Sequence, residues 1–240
     1  MEETFYTQAI ILNKQPWRED GTRVILYGSA GGKMELIARG ARKSSSKLAA
    51  HIEPITLAKV MGIRGRNYDY IGSAISENCY AGIKNDLGKL VVAGKAIRLF
   101  DRSVREGESD ENLFRLLSAF LASIDADGGK NDLELSFSLF SLKLLSALGY
   151  KPELYDCVIC RNRIRAGGNA FDLKKGGVVC RQCQEKEVRK RELTLSDDCI
   201  KVLRMASGEE LGKVLKLKLD REIRLEINKI IKFFTIYHGL

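Results

Sequence analysis

No uninterrupted apolar run in this 240-residue chain approaches the roughly 20 residues that a membrane-spanning helix needs, so no such helix is expected. The start, Met1-Glu2-Glu3, is acidic and leads straight into patterned sequence. A signal peptide would begin basic and then turn apolar, so a cytoplasmic setting is expected. Histidine is scarce. Only His51 and His238 occur, neither in a recognisable catalytic setting, and His238 lies near a chain end, where fraying is normal. Internal repeats, low-complexity tracts, nucleotide fingerprints and paired-carboxylate motifs are missing. Gly28-Ser29-Ala30-Gly31-Gly32-Lys33 approximates a phosphate loop. It is one residue short, and Met34 stands where Ser or Thr would bind magnesium, so it reads as a hairpin turn. These absences argue against an enzyme.

What is present is a basic, core-forming chain. Apolar residues make up 45% and charged residues 30%, with a net charge of +9 and a pI of about 9.2. The size suits one large domain or two modest ones. A basic excess speaks of partners rather than fold, and phosphate polymers or anionic membranes are the usual ones.

The first eighty residues read as β. Thr4–Leu12, Thr22–Tyr27, Met34–Ala38, Ile52–Ile63 and Asn67–Ser76 are the expected strands, with Ala30-Gly31-Gly32 as a hairpin turn. So small a sheet hides its edges best as a closed or partly open barrel. From Asn85 the period becomes helical. Leu87, Leu90, Val91, Ile97, Phe100 and Val104 mark one helix. A second, capped by Asp110, runs through Leu113, Leu117 and Ile124. A third, from about Asn131 to Leu148, is apolar on nearly every side and belongs in the middle of a bundle. Gly149 closes it and Pro152 stops continuation. Ser196 caps a helix with Ile200, Leu203 and Met205. The last helix carries Ile223, Ile227, Ile230, Ile231 and Phe234. The class is therefore α+β. A β module spans 1–80, a helical module spans 81–155 and 185–240, and a cysteine-rich insertion spans 156–184.

Cys157-Val-Ile-Cys160 and Cys180-Arg-Gln-Cys183 are separated by the 19 residues from Arg161 to Val179. Two such hooks at this spacing match a tetrahedral zinc site. The intervening hairpin brings the hooks face to face, and Gly176-Gly177 fits the turn before the second. Four thiolates leave no open position, so the zinc is structural. Two disulfides would match the count but not a reducing compartment. A redox hook would sit at a helix start beside a strand, and one would suffice. Cys79 and Cys199, lacking near partners, read as buried thiols. The insertion is also basic. From Arg161 to Arg191 there are ten Lys or Arg against three acids, a formal +7, or nearer +5 once the thiolates around zinc are charged.

A second basic stretch, Arg39-Gly-Ala-Arg42-Lys43-Ser44-Ser45-Ser46-Lys47, follows a strand as a loop, and Lys59, Arg64 and Arg66 come soon after. Such a barrel is a common platform for single strands, cations tracking phosphates and aromatics stacking on bases. The period of two places Tyr68 and Tyr70 on one face. Tyr68 fits a stacking platform or the barrel core equally, and Tyr70 fits the core better.

These residues resemble the bacterial RecO family. The matching segments run in order: Gln8–Leu12, Gly40–Ser44 with Lys47–Ala50, Glu53–Thr56, Gly149–Leu154, the first hook, and Gly176–Cys180 leading into the second. The resemblance implies an N-terminal OB-fold, then a helical domain carrying a zinc-finger insertion. It implies binding of single- and double-stranded DNA, annealing of complementary strands, and help in loading RecA on DNA coated with single-strand-binding protein. RecR, and in some bacteria RecF, are the implied partners, and a nucleoid-associated location follows. By position Arg39, Arg42, Lys43 and Lys47 fall on the family's basic loop, joined by Arg64, Arg66 and Tyr68 as candidate DNA contacts. The usual Pro-Lys-Ser continuation reads Ser44-Ser45-Ser46 here. A zinc-containing adaptor built for protein contact and an RNA-binding factor fit the composition as well.

Overall fold

A computed structural model describes residues 3–129, 131–186, 193–215 and 217–240. Two compact units divide the chain, Met1–Asp127 and Gly128–Leu240.

The first unit begins with β1 (Thr4–Trp17), β2 (Gly21–Gly28), β3 (Gly32–Ala38), β4 (Thr56–Ile63) and β5 (Asp69–Asn78). They close into a barrel in the order β1-β2-β3-β5-β4. Every pairing is antiparallel except β3 with β5, which is parallel. This is the small Greek-key barrel of an OB-fold. Ile71 and Ala74 of β5 line it three residues apart, across a register shift against β4, and in the other strands alternate residues fill it: Ala9 and Ile11, Val24 and Leu26, Met34 and Leu36, Ala58 and Val60. That is the strand period of two expressed as packing. β1 runs past Leu12 to Trp17, because a bulge between Ile11 and Asn13 lets it keep pairing with β2. The expected strand Ile52–Ile63 instead opens with a 3-10 turn, Ala49–Ile52, and pairs only from Thr56. The β2–β3 turn is the expected hairpin, with Gly32 at φ +64°. A Cβ there would lie 2.1 Å from the Glu108 carbonyl oxygen, so only glycine fits.

Three helices pack with this barrel: α1 (Ala81–Lys84), α2 (Leu87–Ser103) and α3 (Glu111–Asp125). Tyr27, buried on the outer barrel surface, meets Phe100 edge-on at 4.9 Å, and its hydroxyl accepts a bond from the Asp110 amide. Asp110 caps α3 as expected. The inner face of α2 is Val92, Ala93, Ala96, Ile97 and Phe100, whereas Leu87, Leu90 and Val91 are exposed. Apolar spacing alone did not separate the two faces. Cys79 is likewise exposed rather than buried, because it lies beyond the end of β5. Lys89 is a buried cation at 8% exposure whose Nζ donates to the carbonyls of Asp125 and Asp127, closing the C-terminus of α3. Lys89→Met should destabilise the first unit by about 1–3 kcal/mol, measured by urea unfolding; an unchanged midpoint would refute that role.

The second unit is built on α4 (Leu133–Ala147), surrounded by α6 (Asp197–Gly208), α7 (Leu211–Val214) and α8 (Arg221–Tyr237). Its serines are tolerated inside because Ser136, Ser141 and Ser146 donate to carbonyls four residues back and Ser138 donates to Asn228. Ser196 caps α6, and Gly149 ends α4 at φ +91°. Between α4 and α6 lie β6 (Asn169–Asp172), β7 (Gly177–Val179), the short α5 (Arg181–Lys186) and β8 (Leu193–Leu195), which form a sheet in the order β7-β6-β8. Among the described residues no helix is long and apolar enough to cross a membrane.

His238 does not fray. Its ring sits among Tyr150 at 4.3 Å, Phe234 at 4.6 Å and Tyr237 at 5.4 Å. Its Nε2 is buried without a partner among the described residues, and burial lowers its pKa below the ordinary 6.5. The folded state thus favours the neutral ring. Its contribution is present above pH 6.5 and is lost as pH falls through the lower folded value. His238→Phe should flatten that acid limb of thermal stability; a limb of unchanged slope would exclude His238 as its source.

Candidate metal centre and nucleic-acid interface

The four hook cysteines converge. The sulfurs of Cys157, Cys160, Cys180 and Cys183 all lie within 4.8 Å of one another, a grouping able to hold a metal ion. The first hook turns because the Arg161 amide donates to the Cys157 carbonyl at 2.9 Å and the Cys157 amide to that of Asn162 at 2.8 Å. Arg161 takes φ +61°, a left-handed conformation that glycine adopts without strain. The second hook follows β7 and opens α5, with the Cys183 and Gln184 amides donating to the Cys180 carbonyl. A helix start beside a strand is also the setting of a redox hook, but here the first pair of sulfurs stands opposite, as a metal site requires.

Backbone contact sets the hooks against each other. The Val158 amide donates to Val178 at 3.0 Å, and the Val178 amide to Glu153 at 2.8 Å. Of the glycine pair, Gly176 supplies a left-handed turn at φ +70° and Gly177 supplies close approach. A Cβ on Gly177 would lie 2.5 Å from the Glu153 carbonyl oxygen and 2.8 Å from Val158. The Glu153 carboxylate accepts from the Tyr155 and Asp156 amides, which hold its pKa below the usual range. From α6, Arg204 donates twice to the Leu154 carbonyl, at 2.9 and 2.7 Å, and lies over the Tyr155 ring. Nothing in the spacing of the cysteines pointed to Arg204.

The thiols differ electrostatically. Burial opposes ionisation of Cys157, but the amides of Cys180, Cys160 and Ile159 bring it down to about 6. Cys183 is pushed up to about 12, by burial first and then by the neighbouring sulfurs, and Cys180 is raised too. One thiolate therefore forms easily and further ones repel. A divalent cation reverses that balance by favouring every thiolate, so the donor set fits a metal. Cys199 is buried and apart, its thiol raised by burial.

Basic residues of the barrel loops gather at one end, whereas Lys59 lies within β4 and pairs with Glu77 at 2.9 Å. The Arg42 guanidinium donates to the Glu19 carbonyl at 3.1 Å and its amide to that of Asp20 at 3.0 Å, while Lys43 pairs with Asp20 at 3.4 Å. The loop after β3 is thereby folded onto the β1–β2 turn. Trp17, the last residue of β1 before that turn, meets Tyr68 of the β4–β5 loop edge-on at 5.7 Å, with Arg18 over the Trp17 ring at 4.3 Å. Tyr68 is 40% exposed, so its ring is outside the core. Tyr70 is also outside the core, half-buried, with Arg39 over its ring at 3.8 Å. Its place at the barrel rim overrode the strand period. Arg64 pairs with Asp69 at 2.5 Å and lies over Phe5. Arg66 and Lys47 are exposed on the same loops. Trp17 and Arg18 were not among the expected contacts, because their turn is remote in sequence from the basic loop. Asp20 and Asp69 temper the positive charge and come from outside the basic run.

Family comparison agrees across both units. The family model described as "Recombination protein O N terminal" matches residues 1–80, and "Recombination protein O C terminal" matches residues 84–239. The chain belongs to the RecO family. The DNA repair protein RecO of Desulforamulus reducens is 31% identical over 96% of this chain and 88% of its own length. That of Dehalococcoides mccartyi is 30% identical over 95% and 88%. The Roseiflexus RecO is 28% identical over 97% and 80%.

Of the expected basic residues in the finger, Arg189, Lys190 and Arg191 lie outside the described residues. Gly177→Val should separate β7 from the first hook and lower the metal bound per purified chain well below wild type. Full metal content in that variant would refute the backbone coupling of the two hooks.

Proposed function

We propose that this chain is a DNA-binding recombination mediator of the RecF-pathway type. It binds single- and double-stranded DNA, anneals complementary strands and, with RecR, assists loading of RecA on strands coated with single-strand-binding protein. It acts by binding, not by catalysis. The observation that carries this reading is the meeting of Trp17 and Tyr68 at an exposed barrel end among Arg18, Arg39 and Arg64. OB-folds bind oligonucleotides through the loops that join their first two and last two strands. The first of those loops begins at Trp17 and Arg18, and the second carries Tyr68. Arginines neutralise phosphates there, and the rings offer flat faces to bases.

The metal in this reading is zinc. Zinc–sulfur bonds of about 2.3 Å in a tetrahedron place sulfurs roughly 3.8 Å apart, and the Cys160 and Cys180 sulfurs are 3.8 Å apart. Cys157, Cys160, Cys180 and Cys183 would hold it with no open position. Its contribution is to fold the finger.

Trp17→Ala and Tyr68→Ala should each weaken binding of a labelled single strand roughly ten- to a hundredfold, as loss of a stacked base implies. Arg42→Ala with Lys43→Ala should weaken binding similarly across sequences and reduce its salt dependence. Fluorescence anisotropy at low and high salt measures both. Wild-type binding indifferent to salt, or unaltered by these substitutions, would refute the barrel end as the DNA surface.

A further inference from the structure

A cleft of about 600 Å³ opens beside the second hook. Arg163, Arg165, Arg181, Asn162, Asn169 and Gln182 line it, and Cys180 forms part of its floor. Asn162, Gln182 and the three arginines bring hydrogen-bond donors to it, the guanidiniums as fixed forks, while the amide of buried Asn169 already donates to Arg165 and Asp197. No carboxylate lines it.

The walls are held in place. Asn169, 3% exposed, donates to the Arg165 carbonyl at 2.7 Å, and Asp197 accepts from the Gly167 amide at 3.0 Å. The stem of Arg181 lies against Gly168, where a Cβ would come within 2.9 Å of its Cδ. Gly168 has φ +69°, so the close approach and the left-handed turn both call for glycine. Two arginines have acidic neighbours, Arg163 with Asp156 at 3.4 Å and Arg181 with Glu185 at 2.8 Å. The arginines of both pairs are 70% exposed, and exposed pairs hold their partners weakly, so the remaining donors stay available.

We infer that this cleft binds a phosphodiester of the nucleic-acid backbone, giving the finger a DNA contact of its own. Forked guanidiniums match phosphate oxygens bidentately. Four thiolates around a divalent ion leave a net negative charge beside the cleft, and a second role for the arginines is to offset it. Asp156 and Glu185 already offset two of the three guanidinium charges, so it is the forked donors converging on the cleft, and not a surplus of charge, that favour a phosphodiester. The inference rests on the DNA-binding reading above, whose own test uses the barrel end.

The test uses the full chain with metal content measured in parallel. Arg165→Gln with Arg181→Gln should keep its metal, weaken single-strand binding about tenfold, and lower the slope of log affinity against log salt by about 1. Arg165→Lys with Arg181→Lys should restore the slope, because the charge is kept. Full metal with unchanged affinity and slope overturns the inference. So does loss of metal in the Gln variant, which assigns the arginines to the thiolates' charge. Tight binding of inorganic phosphate, with an unchanged DNA slope in the Gln variant, makes the ligand a free oxyanion and overturns the nucleic-acid assignment. Failure of the barrel reading shows separately: binding would then survive in Trp17→Ala with Tyr68→Ala and be lost only in the finger variant.

Discussion

A short parallel contact closes the barrel, with Leu36 beside Asp69 and Ile37 beside Tyr70. Every other strand pairing is antiparallel and extends over more residues. Without this contact β3 and β5 would be two open edges, and open edges invite pairing with other chains. The same contact brings Tyr70 under Arg39, which follows β3, and sets the β4–β5 loop beside the β1–β2 turn. The candidate interface is therefore a consequence of closure. Loops that are distant in the chain become neighbours because the strands that carry them must share one hydrogen-bonded ring.

The finger obeys the same logic on a smaller scale. Its hooks face each other because β7 passes close to the 153–158 segment, and that passage is possible only where Gly177 has no side chain. Once Cys157 has ionised, Cys180 and Cys183 resist following it, a balance that a divalent cation would reverse. Backbone geometry comes first, and it brings together four sulfurs able to hold a metal ion.

Much of this was legible in the residues. The hooks declared themselves by spacing, since the covalent chain permits few other uses for two paired thiols so placed. Alternation in β2 and β3 gave away the barrel interior, and the all-round apolar α4 gave away the bundle centre. Legibility failed where a residue's surroundings come from elsewhere. Leu87, Leu90 and Val91 carry a helical apolar signal and yet face outward, because the inward face of α2 uses small residues such as Ala93 and Ala96. Tyr70 had a core-like period but sits at the rim, where strand alternation no longer decides burial. His238 looked like a fraying end and is instead packed among three aromatic rings, one of them from Tyr150.

The amino-acid sequence by itself determined the α+β class, the four cysteines able to hold a metal ion and the basic loop from Arg39 to Lys47. These follow from local periods, covalent spacing and charge, which need no knowledge of distant neighbours. The tertiary structure alone decided that Trp17 and Arg18 join Tyr68, that Asp20 and Asp69 temper the basic loops, that Arg204 anchors the finger, and that Arg163, Arg165 and Arg181 share a cleft. Each depends on contacts between segments far apart in the chain, and such contacts arise only when strands pair and helices pack.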